Sequence, residues 1–384
     1  MPGLPALDED EPRKFFGPTR DSAVGSPTGA AAPPPRIGDP LSAKDAEELM
    51  AVIGPSQLPD AWKQGLFFAG YQPYGLQQVE GGPCGVIAVV QAFLLQVLVD
   101  KAVGPAGVLE VDEKTRAEAL ADAVCEILWR NVGDNKKATI LLPSSTSVAP
   151  MTASQLRCLQ PSQFTSREQL RFHLMQRPYR EAFFNPSGCG LALLLYSLVW
   201  TRGVEGIRER DADDPKTVAM IGAHGYCTQE LVNLMVFGRA YSNVFDGTKR
   251  LGSPKDGWCV LQGVPRRPDV GFLSLFEAFH CLEVGSRYKG PSKPVWIVCA
   301  ESHYTVLFAP DAAVDPRDAD KALDLYYFDQ LARQSEPIRL TVLPGKLPEH
   351  LSTGFEESES MIDRCIRTKW KDATVDWNGT EPIL

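Results

Sequence analysis

The sequence predicts an α+β fold, with helices first and a mainly antiparallel sheet after them. Three observations carry this. Apolar and amphipathic helical runs fill the first half of the chain, Gly85 to Asp100 foremost. Short β-branched and aromatic runs bounded by polar residues fill the second half. No G-x-G-x-x-G or G-x-x-x-x-G-K-[ST] follows a strand, which removes Rossmann and P-loop architectures.

Taken in order, the first 40 residues stand apart. They hold nine of the 31 prolines, including Pro33-Pro34-Pro35, among Gly, Ala and Ser. Such a stretch buries too little apolar area to offset the entropy of ordering it, so residues 1–40 are expected to be a disordered tail and 41–384 a single domain. A helix is predicted after Leu41, with Ser42 as N-cap and Asp45 three residues on, through DAEELMAVI. GVIAVVQAFLLQVLVD, Gly85 to Asp100, is apolar nearly all round and belongs inside a core. Ala117 to Trp129 and Gln229 to Phe237 have helical spacing with one polar face, and the run after Gly190 is a second buried helix. Segments 143–165 and 205–217 are polar and predicted as loops. Val295 to Ala300, Tyr304 to Phe308 and Leu325 to Phe328 read as strands, the last two joined by the acidic loop Pro310 to Asp320.

Composition narrows the function. Of 384 residues, 44% are hydrophobic and 23% charged, an ordinary globular balance. The net charge is −9 with no basic cluster, so a nucleic-acid partner is not expected. The longest apolar runs, Gly85 to Val99 and Leu191 to Trp200, fall short of the ~20 residues of a membrane span, and the N-terminus has no signal-peptide h-region. Nine cysteines, scattered singly and never as C-x-x-C, speak against a disulfide scaffold and a zinc ribbon. The expectation is a monomeric protein with reduced thiols, neither secreted nor membrane-bound, in the cytoplasm or also the nucleus, without metal or organic cofactor.

The residues with chemical promise begin at Gly81-Gly82-Pro83-Cys84-Gly85. Two glycines permit a sharp turn, and Pro83 suits the first helical position. Cys84 then sits in the first turn of a deeply anchored helix, among unpaired N–H groups at the positive end of the dipole. That setting stabilises a thiolate and makes a nucleophile. Ser187-Gly188-Cys189-Gly190 also opens an apolar helix but lacks the proline, so turn chemistry favours Cys84 over Cys189. A thiol nucleophile needs a base, and with nine cysteines and five histidines only placement discriminates. His303, in Glu301-Ser302-His303-Tyr304, opens a strand that follows another strand, held rigidly yet able to reach a cleft. His173 lies in a helical stretch and His350 in a loop. His224 and Cys227 form an isolated H-x-x-C, and His280-Cys281 ends a helix, neither with a second ligand pair for a metal. An oxyanion needs donors. One is the N–H at the helix start, and Gln78 or its neighbour Gln77 would supply a side-chain amide. Asp329, at the end of the next strand, is a candidate to orient His303.

This pattern resembles the MINDY family of deubiquitinases, in the branch whose nucleophile motif reads GGPCG. The resemblance is carried by Tyr74-Gly75-Leu76 through GGPCGV and by TQELVNLMVFGRAYSNVFDG from Thr228. It continues in PVWIVCAESHYTVLF from Pro294, LYYFDQL from Leu325 and WNGTEPIL at the C-terminus, and so spans roughly residues 42 to 384. It implies a papain-like cysteine peptidase fold and a thiol-dependent isopeptidase that cleaves ubiquitin chains, preferring lysine-48-linked polyubiquitin. It makes Cys84 the nucleophile, His303 the base and, six residues ahead of the cysteine, Gln78 the oxyanion donor. Asp329 is not carried over by motif. The chain departs from the family's other branch in having Gly81 for Asn and Gly85 for Pro, and Glu80 would oppose a thiolate if it faced one. Two alternatives keep parts of this reading: a ubiquitin-chain binding scaffold without useful turnover, and an enzyme passing the acyl group to an amine.

Overall fold

A computed structural model describes residues 32–382 except 103, 134–135, 145–149, 254–256, 319 and 346–359. Its elements follow from local chemistry. Helix α1 (Ala43–Ile53) is capped by Ser42, whose side chain accepts the Asp45 N–H while the Asp45 carboxylate reaches back to the Ser42 N–H. Helix α2 (Cys84–Lys101) is three residues longer than the apolar run in the sequence, long and apolar enough by composition alone to cross a membrane. Here it is mostly buried, packed on α3 (Glu113–Arg130), on α7 (Gln229–Phe237) and on the main sheet. Between α3 and α7 lie α4 (Arg167–Leu174), α5 (Arg177–Phe184) and the buried α6 (Gly190–Arg202).

Six strands form the main sheet: β6 (Gly271–Ser274), β7 (Val295–Ala300), β8 (His303–Phe308), β9 (Leu323–Phe328), β10 (Ile338–Leu343) and β11 (Thr374–Asp376), in the spatial order β11-β10-β9-β8-β7-β6. Every pairing is antiparallel except β6 with β7. Side-chain alternation splits the core in two. Ile297, Cys299, Tyr304, Val306 and Phe308 pack with α2 and the helical half. Trp296, Val298, Leu307, Leu325 and Tyr327 pack with Ile362, Cys365 and Ile366 of α8 (Met361–Arg367) and with Trp370. Both faces are covered at β7 and β8, so those strands read as continuous apolar runs, whereas β10, IRLTVL, alternates buried with exposed or half-buried residues. The helix-then-sheet order of an α+β fold holds for this half of the molecule.

The segments expected to be loops, 143–165 and 205–217, contain regular structure. Ala138–Pro143 (β2) and Leu159–Phe164 (β3) pair antiparallel, and β3 also pairs with β1 (Arg36–Ile37), two residues that composition had assigned to the tail. Pro161 and the polar LQPSQF sequence hid a central strand, because proline ordinarily argues against one. The Pro161 carbonyl still accepts, from the Gly38 N–H at 2.8 Å, although the ring has no donor to give. At 205–217 the chain makes helical turns, Val204–Gly206 and Ile207–Asp211, before the loop begins. They end at a buried ion pair: Arg202 Nε and Nη2 donate to Asp211 Oδ2 and Oδ1 at 2.7 and 2.6 Å. A separate ribbon, β4 (Thr248–Ser253) with β5 (Gly257–Gln262), is largely exposed. Residues 1–31 of the expected tail lie outside the described residues; from Pro34 the chain forms one compact unit.

Candidate active site

The nucleophile candidate is built by the turn ahead of α2. Gly82 takes φ 125°, a backbone conformation that side-chain-bearing residues rarely adopt. Pro83 occupies the cap position, one residue earlier than its expected place, and its carbonyl accepts the Ile87 N–H at 3.2 Å. Cys84 is therefore the first helical residue. Gly85 is required by close packing: a Cβ there would lie 2.9 Å from the Cβ of Cys227 and 3.1 Å from its sulfur. Cys227 is thus a site neighbour that sequence reasoning placed in an isolated H-x-x-C. Burial pushes its thiol far up, the nearby Cys84 adds to this, and the N–H groups of Val86 and Gly85 partly offset it. Nothing in the local sequence announces this contact, since the chain returns to α2 only after more than 140 residues.

His303 is delivered by the β7–β8 hairpin. Ala300 pairs with His303, leaving Glu301 and Ser302 as a two-residue turn in which Glu301 holds φ 55°. The Cys84 Sγ donates to the Ser302 carbonyl at 3.6 Å and, more weakly, to the Gly82 carbonyl at 3.9 Å, so the nucleophile helix and the hairpin meet at the sulfur. His303 Nε2 lies 2.9 Å from Asp329 Oδ1, which leaves Nδ1 as the ring nitrogen for the sulfur. Burial alone would lower the imidazole pKa, but hydrogen bonds to Asp329 and Cys84 and the charges of both raise it to about 10. The imidazolium is the favoured form at neutral pH. Asp329 is itself fixed: its Oδ1 accepts the Leu331 N–H at 2.8 Å and its N–H donates to Gln334 Oε1 at 2.9 Å.

Gln78 and Gln77 point different ways. Gln78 is buried, with its N–H on the Gln330 carbonyl at 2.8 Å and its Nε2 on the Glu80 carbonyl at 2.7 Å. Its Oε1 is buried with no partner. Gln77 is half-buried and lines a narrow cleft with Tyr71, Gln72, Asp329 and Arg333. The Glu80 side chain is exposed; what it turns inward is its carbonyl. Gln330, which sequence reasoning missed, is buried and donates from Nε2 to the carbonyls of Tyr304 at 2.6 Å and Cys84 at 3.2 Å.

The structure thus brings Cys84, His303 and Asp329 into one cluster and ties Gln78 to it through Gln330. The other candidates fall elsewhere. Cys189 precedes α6, and burial, helped by Cys158, pushes its thiol up to about 11, which keeps it protonated. His173 packs among Phe164, Phe172 and Tyr179 as a core-side ring. His224 and His280 are exposed, and His350 lies outside the described residues. Among the described residues no group of three or more His, Cys, Asp and Glu side chains could hold a metal ion, and all nine cysteines are free. The cluster is closed, because Cys84 is only 1% exposed. A substrate carbonyl reaches the sulfur only if covering chain moves.

Comparison with known proteins shows the family to which the chain belongs. Residues 54–379 match the family described as "Deubiquitinating enzyme MINDY-3/4, conserved domain". A "Probable ubiquitin carboxyl-terminal hydrolase MINDY-4" from Xenopus tropicalis is 39% identical over 90% of this chain and 47% of its own length. The mouse protein of that name is 40% identical over 81% of this chain and 42% of its own. A "Ubiquitin carboxyl-terminal hydrolase MINDY-3" from Bos taurus is 34% identical over 66% of this chain and 61% of its own. The chain spans about half the length of the MINDY-4 relatives it matches. No solved structure matches it.

Proposed function

Because the chain belongs to the MINDY-3/4 deubiquitinating-enzyme family, we propose that it is a thiol-dependent isopeptidase acting on ubiquitin chains, with lysine-48-linked polyubiquitin as its substrate. The observation that carries this is the Cys84–His303–Asp329 cluster at the junction of a buried helix and a hairpin. A cysteine on a core helix packed against an antiparallel sheet that bears the histidine is the arrangement of papain-like peptidases, and we read the fold as papain-like.

In this mechanism the Cys84 thiolate, stabilised by the imidazolium and the helix start, adds to the isopeptide carbonyl carbon. The backbone donor for the oxyanion is an N–H at the start of α2, that of Cys84 itself. Gln78 supplies the second donor once its amide leaves the Glu80 carbonyl. His303 gives its proton to the departing lysine amine, leaving a thioester. Water, deprotonated by His303, then releases the ubiquitin carboxylate and restores the ion pair. No metal or organic cofactor takes part, and the free thiols suit a reducing cytoplasm.

A panel of diubiquitins and longer chains of every linkage tests the reading. Cleavage confined to lysine-48 chains and abolished in Cys84→Ala is expected; cleavage of other linkages alone would overturn the specificity. The buried sulfur and the occupied Gln78 amide favour a second reading, a chain-binding scaffold. Binding of chains without cleavage, unchanged in Cys84→Ala, would establish that one instead.

A further inference from the structure

The ladder between β8 and β9 pairs Val306 with Phe328, Leu307 with Tyr327 and Phe308 with Tyr326. Carried on in the same register, the next partners would be Thr305 with Asp329 and Tyr304 with Gln330. The ladder stops instead. Asp329 turns away, its carboxylate accepting the Leu331 N–H and its carbonyl facing the Ala332 N–H at 3.4 Å. The turn leaves the Tyr304 carbonyl without a ladder partner, and Gln330 answers it with its side chain, which also reaches the Cys84 carbonyl at the start of α2.

We propose that Gln330 is a positioning residue for the reaction, setting the separation of the nucleophile and the base by holding the backbones of Cys84 and Tyr304 on the two hydrogens of one amide nitrogen. Cys84 is the nucleophile itself, and Tyr304 follows the base directly in the chain. The donations, 3.2 Å to the Cys84 carbonyl and 2.6 Å to the Tyr304 carbonyl, use the full donor capacity of Nε2. The amide cannot be reversed: that would turn Oε1 toward two carbonyl oxygens. The Gln330 backbone carbonyl accepts the Gln78 N–H at 2.8 Å, so the same residue also holds the strand of the oxyanion donor. Its Oε1 is left buried without a partner, a cost that a merely space-filling residue would not carry. Asp329 orients the imidazole; Gln330, one residue on, fixes the distance across which the proton passes.

This inference rests on the Cys84–His303 reading, and its test keeps the two apart. Gln330→Met removes the donors at nearly constant volume, and Gln330→Glu replaces them with oxygens that repel both carbonyls. The comparison variant is Asn233→Leu, since that buried amide also serves two carbonyls, those of Tyr241 and Asn243. Three quantities are read on the whole chain: melting temperature, kcat and KM on polyubiquitin, and the rate of Cys84 alkylation by iodoacetamide at neutral pH. For Gln330→Met a roughly 10–100-fold loss in kcat at little-changed KM is expected. Cys84 alkylation at neutral pH should slow, because the imidazole is no longer held at the sulfur. Asn233→Leu should lose melting temperature without either change. If Gln330→Glu fails to fold, Gln330→Met decides alone. If neither folds, alkylation of wild type in mild urea decides: a rate that changes only with global unfolding contradicts the proposal, and one that changes before it supports it. A folded Gln330→Met with wild-type kcat and alkylation rate overturns the positioning role. Wild type that cleaves no chain, or cleavage surviving in Cys84→Ala, sinks the underlying reading instead.

Discussion

His303 has to be charged to hold the thiolate and must still surrender a proton to the leaving amine. Burial disfavours that charge, while Asp329 and Cys84 favour it more strongly, giving a pKa of about 10. A raised pKa means that the group's contribution to stability is complete below its unfolded value near 6.5 and is lost as pH rises through about 10. The alkaline limb of kcat/KM, which reports the free enzyme, should lie there too, because the neutral imidazole has no proton to give. Asp329→Asn removes the carboxylate that favours the imidazolium, so the His303 pKa falls and the alkaline limb shifts to lower pH, with kcat reduced. A pH–rate series on both proteins checks this. An unmoved limb would mean that Asp329 is only a turn residue.

At the scale of elements, the start of α2 depends on what the chain brings back to it. In Gly85→Ala the new Cβ would sit 2.9 Å from the Cβ of Cys227, and neither backbone can yield cheaply. A loss of about 1–3 kcal/mol is expected in denaturant unfolding, with slower Cys84 alkylation as the helix start shifts. Wild-type stability would show that the α7 end moves freely. This dependence also marks the limit of sequence reading. Cys84, His303 and Asp329 were legible because each sits at a boundary that local patterning reveals: a Gly-Gly-Pro turn into an apolar helix, the mouth of a strand, the end of the next. The Gln78–Gln77 choice was not legible from the residues, since it depends on which side of one extended segment faces the helix. Gln330 and Cys227 were hidden for a different reason. Their roles arise where a ladder stops and where a distant loop returns, and neither event leaves a periodic trace. The β3 strand was hidden by polarity and Pro161, tertiary pairing having overridden propensity.

For the whole molecule, the helical half must be held in shape behind the sheet for the nucleophile and the base to meet. The Arg202–Asp211 pair is one such tie. It is buried and bidentate, and Asp211 also accepts the Ala240 N–H at 3.2 Å and contacts Arg239 at 3.4 Å. It joins the end of α6 to the turn at Ile207–Asp211 and to the segment after α7. Arg202→Ala leaves a carboxylate buried without its main partner, and a loss of about 3–5 kcal/mol is expected. Equilibrium unfolding checks this, and a change below about 1 kcal/mol would show that Arg239 or water replaces the guanidinium. The fold-level outcome was the most legible in sequence, because long buried helices and short two-sided strands sort by length and residue type alone.

The central claim is that one sulfur, Cys84, carries the chemistry. The most direct measurement treats wild type, Cys84→Ala and Cys189→Ala with ubiquitin bearing a C-terminal thiol-reactive electrophile and maps the adduct by peptide mass spectrometry. The account predicts a single adduct on the peptide containing Cys84, lost in Cys84→Ala and retained in Cys189→Ala. An adduct that persists in Cys84→Ala and disappears in Cys189→Ala would contradict it.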